Sequence, residues 1–265
     1  NVGAARVAAE IGAERQQAFL KSLGLFEPTP VELIEAKGAR PLLPPKWTEL
    51  STKPISYGHG ISSSPLHLAT AYASLLNGGT TVTPTLLKRT EASPLGPRVV
   101  SQATSEASRM MLRQVVTRGT ASFGEVPGYA FGGKTGTADK AKPSGGYYED
   151  KVISSFASGF PANDPKYILI VTLDEPEVFS MGESRRTAGW TAVPVAAEIV
   201  QRVAPLLGLR PQVEPDLPTA IKLTSNYIGK VGGPWPIPST KPPWPSGGPT
   251  AAQVPTCRLR CSRWR

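Results

Sequence analysis

Gly128-Tyr129-Ala130-Phe131-Gly132-Gly133-Lys134-Thr135-Gly136-Thr137 admits two readings, and the choice between them decides the fold. Gly128, Gly133, Lys134 and Thr135 match the spacing Gly-x4-Gly-Lys-Ser/Thr of a phosphate-cradling loop, in which freed backbone N–H groups meet the phosphates and the lysine opens a helix. That loop needs an apolar strand before its first glycine, yet Val126-Pro127 stand there, and strand-like then turn-like residues follow the lysine. The one apolar run ending in Asp, Ile168 to Asp174, is closed at once by Glu175-Pro176. The remaining reading makes 129–137 a strand that presents Lys134 and two threonine hydroxyls from its own length.

Two more strands follow in the expected pattern, Val152–Phe160 and Tyr167–Leu173. A loop over Asp139–Asp150 joins the first two, and Pro161-Ala-Asn-Asp-Pro165 turns between the second and third. Connections this short make neighbouring strands antiparallel. Helices are expected on both sides of them in sequence. Residues 2–23 carry Val7, Ile11, Phe19, Leu20 and Leu23 in two pieces around Gly12, and Gly24 stops them. Ser64-Pro65 is an N-cap and N1 pair, and Asn77-Gly78-Gly79 ends that helix. A further helix spans 105–118, capped by Ser105, and a last one spans 191–207, with Val193, Ala196, Val200 and Val203 facing the sheet and Trp190 anchoring core. The six prolines of 26–57 leave an ordered loop region with short elements, of the kind that lines functional sites. The fold class is therefore α+β, an antiparallel β-sheet flanked by helices.

The formal charge of +9 over 265 residues invites a nucleic-acid partner, but its distribution speaks against one. From Arg210 onward there are eight Lys/Arg and two acids, which leaves 21 basic against 18 acidic side chains before it. No basic and aromatic interleaving or recognition-helix pattern appears. Residues 209–265 read as a separate Pro-rich basic tail, with eleven prolines after residue 210 and too little apolar surface to offset chain entropy. Cys257 and Cys261 both lie in that tail, and C-x3-C without further Cys or His is a poor metal site. No run approaches the roughly 18 apolar residues of a membrane helix.

Lys-Thr-Gly on a strand resembles the third motif of the penicillin-interacting serine enzymes. Other stretches, in the same order, resemble class B penicillin-binding proteins of the division type over residues 1–208. Asn1-Val2-Gly3 looks like the end of their Ser-x-Asn motif. Gly58-His-Gly60, Ser64-Pro-Leu-His-Leu-Ala69 and Asn77-Gly-Gly79 look like their turn, helix start and helix end. Ser158-Gly-Phe-Pro-Ala162 and Tyr167–Pro176 follow the Lys-Thr-Gly segment as the family has them.

The resemblance implies a transpeptidase fold shared with the serine β-lactamases and penicillin-binding proteins, here incomplete at its N-terminus, and a peptidoglycan D,D-transpeptidase activity without metal or organic cofactor. Lys134 would hold positive charge near the substrate carboxylate and the serine, Thr135 and Thr137 would donate hydroxyl hydrogen bonds to that carboxylate, and Gly136 would let substrate approach the strand. The Thr137 N–H would be an oxyanion donor, a role worth on the order of 3 kcal/mol. Asn1 would orient the substrate amide. Implied partners are D-Ala-D-Ala stem peptides, β-lactams and membrane proteins of cell division or elongation. The implied location is the periplasm, anchored to the inner membrane.

The departures are as informative. No serine here has a lysine three residues on, and Thr137 before Lys140 only imitates the pattern, so the chain contains no nucleophile and is expected to form no penicillin adduct alone. Rival functions are a D,D-carboxypeptidase or serine β-lactamase of the same superfamily, or a non-catalytic β-lactam sensor or divisome interaction module. His59, His67, Tyr147, Tyr148, Glu149 and the pair Arg185-Arg186 take bland readings as turn, helix, loop and solvated residues, although the arginines are also placed to meet anionic cell-wall groups.

Overall fold

Alternation explains the strand that carries the lysine. Gly133, Thr135 and Thr137 fall on one face and Lys134, Gly136 and Ala138 on the other, as a period of two requires. The computed structural model describes residues 1–91 and 94–212; the tail reading beyond Gln212, cysteines included, lies outside the described residues. In chain order the elements are α1 (Val2–Ile11), α2 (Ala13–Ser22), α3 (Glu49–Ile55), α4 (Pro65–Leu76), α5 (Gln102–Arg118), β1 (Gly132–Ala141), β2 (Tyr147–Phe160), β3 (Tyr167–Asp174), β4 (Val178–Ser180), β5 (Glu183–Arg185) and α6 (Ala192–Leu206), with short 3-10 turns at Ile34–Gly38 and Ser122–Gly124.

β1, β2 and β3 form one antiparallel sheet in that order, which places the lysine strand at an edge. Gly132 stands opposite Gly159 and Thr137 opposite Ser154, with a register shift between Asp139 and Ala141. α6 covers one face with fully buried Ala192, Val193, Ala196, Val200 and Ala204, spaced along one helix stripe. They close over Phe131, Phe156, Phe160 and Val171; Phe131 and Phe156 meet edge to face with centroids 5.7 Å apart. α4 and α5 take the opposite face. A Cβ on Gly159 would stand 3.2 Å from Leu76 of α4, and one on Gly132 would stand 2.8 Å from the backbone nitrogen of Arg113 in α5.

Several sequence expectations shift in detail. The first strand begins at Gly132 rather than Tyr129 and runs on to Ala141, and the second starts at Tyr147, so Tyr147, Tyr148 and Glu149 are strand residues and the loop shrinks to 142–146. Pairing across the hairpin extends both strands beyond their apolar cores. α5 is capped by Ser101, whose hydroxyl accepts from Thr104 N, rather than by Ser105. Ser105 is buried one turn further in and accepts from Gly78 N at 3.1 Å, which fastens the Asn-Gly-Gly terminator of α4. Trp190 is half-buried, not core, and lies between the tilted Phe123 ring and the Arg185 guanidinium.

His67 has a structural task. Its Nδ1 accepts from Ser64 N at 3.3 Å while Ser64 Oγ accepts from His67 N, so the pair is a capping box with His at the third helical position. Nε2, which therefore carries the proton, donates to Glu27 O at 2.9 Å and ties α4 to the loop before it.

Candidate active site

Two glycines fit the lysine strand to its neighbours. A Cβ on Gly133 would lie 2.5 Å from Phe156 and 2.6 Å from Ala157 O, and Gly132 leaves room for the α5 backbone. Both are demanded by packing rather than by phosphate binding, and Lys134 lies inside an antiparallel strand rather than at the head of a helix. Gly136 differs: a Cβ there would have nothing nearer than Ser155 O at 4.0 Å, so its face of the strand is open.

The strand's start is held by Arg113, buried in α5. Its guanidinium makes a bidentate pair with Glu125 at 2.8 and 2.9 Å and donates to Phe131 O at 3.3 Å. This clamp fixes where the Gly-Gly-Lys segment enters the sheet.

Lys134 folds back over its own strand. Nζ donates to Thr135 O at 2.7 Å and to Thr135 Oγ1 at 3.4 Å, and partial burial holds the ammonium below the ordinary lysine value. Thr135 Oγ1 also lies 2.7 Å from Thr120 Oγ1, just after α5. Thr135 Oγ1 accepts from Lys134, which leaves its O–H to donate, and across the Thr120 contact either hydroxyl can be the donor. Thr137 is arranged the same way: its Oγ1 accepts from Ala188 N at 3.0 Å, which leaves the O–H to donate elsewhere. Two hydroxyls on one face and a cation beside them therefore make a donor-rich ledge suited to a carboxylate.

The Ala188 contact also sets the loop before α6. Ala188 is fully buried, Gly189 lets the Thr120 carbonyl approach, and Ser154 of β2 bonds Thr191 at 2.7 Å in the interior. Sequence reasoning missed both Thr120, which acts through its hydroxyl, and Ala188, which acts through its backbone N–H, because tertiary packing brings each to the strand and no motif marks them.

The structure carries Lys134, Thr135, Gly136 and Thr137 together on β1, while Asn1 stands at the start of α1. Asn1 is exposed at the N-cap of α1 without a side-chain capping bond, α1 packs on α2 and α3, and among the described residues no hydrogen bond joins it to the lysine strand. His59, exposed between Gly58 and Gly60, meets the Tyr147 ring with centroids 5.9 Å apart, so the turn after α3 touches the far end of the β1–β2 hairpin.

Removing the Thr137 hydroxyl tests the ledge. Thr137→Val in the full-length protein should slow penicillin acylation by about tenfold or more, one lost hydrogen bond to a charged group being worth about 1.5–3 kcal/mol. The thermal midpoint should fall by only a few degrees; a stopped-flow rate equal to the parent's would remove Thr137 from the site.

An edge strand bearing Lys-Thr-Gly-Thr, backed by helices on both faces, is an arrangement of the penicillin-interacting serine enzymes, and residues 1–201 match the family model described as the penicillin binding protein transpeptidase domain. The chain belongs to that family. Its homologues over most of the chain are class B proteins of the cell-division type. It is 38% identical over 223 residues to the probable peptidoglycan D,D-transpeptidase FtsI of Caulobacter vibrioides, covering 81% of this chain and 38% of that protein. It is 34% identical over 222 residues to penicillin-binding protein PbpB of Mycolicibacterium smegmatis, covering 76% and 34%. Among solved structures, the apo transpeptidase domain of Burkholderia pseudomallei penicillin-binding protein 3 superposes with a TM-score of 0.71 at 32% identity, over 80% of this chain and 63% of that one. Penicillin-binding protein 3 of Mycobacterium tuberculosis complexed with ampicillin gives 0.69 at 29% identity, over 81% and 50%. The chain thus spans little more than a third of the curated relatives' length.

Proposed function

We propose that this chain supplies the carboxylate-recognising wall of a peptidoglycan D,D-transpeptidase. The observation that carries the reading is the edge-strand ledge, where the Lys134 ammonium donates to the Thr135 hydroxyl and the Thr137 hydroxyl accepts from Ala188 N, so that both hydroxyls keep a hydrogen to give. A stem peptide ending in D-Ala-D-Ala would lay its terminal carboxylate on these donors. The scissile carbonyl would then sit over the strand at Gly136, where no side chain obstructs it.

A serine outside this chain attacks that carbonyl, the C–N bond breaks, and D-alanine leaves with the serine's proton. The acyl-enzyme is then attacked by an amine of a neighbouring stem peptide; the new amide forms and the serine recovers its proton. Thr137 N–H stabilises the oxyanion in both steps, and Asn1, if brought to the cleft by residues preceding it, orients the substrate amide. β-Lactams mimic the peptide end and stop at the acyl-enzyme. Membrane anchorage facing the periplasm and membrane proteins of division as partners belong to the same proposal; among the described residues no helix is long and apolar enough to cross a membrane.

Product analysis separates this reading from its superfamily rivals. Full-length protein given stem pentapeptide and an acceptor amine should yield cross-linked dimer by mass spectrometry. Trimmed tetrapeptide alone would make it a carboxypeptidase, and hydrolysed penicillin with rapid turnover a β-lactamase.

A further inference from the structure

Arg185 and Arg186 sit at the end of the β4–β5 hairpin, directly before the loop that touches the lysine strand. Ala188 N is 3.0 Å from Thr137 Oγ1, and two residues of extended chain span at most about 7 Å, so the Arg186 backbone lies within that distance of Ala188. The hairpin turns through Met181 and Gly182, both at positive φ (55° and 80°), as a two-residue turn between twisted strands requires.

The two guanidiniums are held differently. Arg185 lies over the Trp190 ring at 5.3 Å, and Trp190 meets Phe123 at a tilt of 47° with centroids 4.6 Å apart, so the ring beneath the guanidinium is itself held by packing. Arg185 pairs with Glu183 through Nη2 at 2.7 Å, while its Nε is buried without a hydrogen-bond partner. Arg186 is more exposed and, among the described residues, meets Glu177 through Nη2 at 3.0 Å; Ser184 shares the same Glu177 oxygen. Both bonds hold Glu177 below the usual carboxylate range, the Ser184 bond being the largest single cause and the Arg186 bond and charge adding to it. One nitrogen of a five-donor fork is used, and exposed ion pairs contribute little, so exchange for another carboxylate costs little.

We propose that Arg186, braced by Arg185 on Trp190, is a specificity-determining residue that recognises a side-chain carboxylate on the stem-peptide residue preceding D-Ala-D-Ala. The proposal rests on the transpeptidase reading of the Lys134 ledge. The residue preceding D-Ala-D-Ala lies two residues from the terminal one, again within about 7 Å of chain, so a peptide whose end sits at Thr137 carries that side chain at the scale of the Arg186 reach. Peptides with a free carboxylate there would be preferred over those with a carboxamide or only an amine.

The test compares two donor pentapeptides, one with a free and one with an amidated carboxylate at that residue, in full-length protein. The parent should favour the free acid by about tenfold in kcat/KM, the scale of one charge-assisted hydrogen bond. Arg186→Gln should abolish that ratio while leaving benzylpenicillin acylation within about twofold of the parent, Arg186→Lys should restore part of it, and Glu177→Gln should raise it by freeing the guanidinium. An unchanged ratio in Arg186→Gln overturns this inference and leaves the transpeptidase reading standing. A parent that neither turns over peptide nor is acylated by penicillin removes both.

Discussion

Lys134→Ala in the full-length protein is expected to slow acylation by benzylpenicillin by on the order of 10²–10³-fold, the range seen when a preorganised donor at a developing charge is removed. The ammonium is the only cation bonded to the Thr135 hydroxyl among the described residues, and its loss also frees that hydroxyl to rotate. The strand should survive the change, because Lys134 lies on an exposed edge and its bonds run to its own neighbour. Circular dichroism and the thermal midpoint should therefore stay near the parent's while the stopped-flow rate collapses. A rate within threefold of the parent would show that the cation takes no part in recognising the ligand.

Phe156→Ala should cost about 3–5 kcal/mol of unfolding free energy, as deletion of a fully buried ring does. Phe156 meets Phe131 edge to face and occupies the space over Gly133, so the cavity would open beneath the lysine strand itself. Urea denaturation reads the loss directly as a lower midpoint at similar slope. A loss below 1 kcal/mol would mean that β1 is not held by this core. Acylation should fall together with stability, unlike the Lys134 variant, because the ledge would lose the surface that fixes its register.

The strands and most helices were legible because their residues state a period: Tyr167–Asp174 is an apolar run too short for a helix, and Ala192–Leu206 repeats its small apolar residues at helical spacing. α3 is hidden within a proline-rich irregular region by Pro54 and its seven-residue length, although Thr48 and Ser51 form a capping box. The β4–β5 hairpin was missed since Met181 occupies a positive-φ position usually marked by Asn, Asp or Gly. Lys134, Thr135, Gly136 and Thr137 were found from a contiguous motif. Thr120, Ala188 and Arg113 were not, because their contribution comes from tertiary contacts that no local pattern records. Arg185 and Arg186 read from sequence as a solvated pair, and they are partly exposed in ion pairs with Glu183 and Glu177; what the sequence does not record is that they lie directly before the Thr137 loop.

Intact-mass spectrometry after incubation with benzylpenicillin tests the central claim most directly. The full-length protein should gain the mass of one penicillin on a serine upstream of Asn1, the Lys134→Ala variant should gain far less in the same time, and the chain Asn1–Arg265 alone should gain none. A stable acyl adduct on a serine within Asn1–Arg265, or no adduct on the full-length protein, would contradict the account.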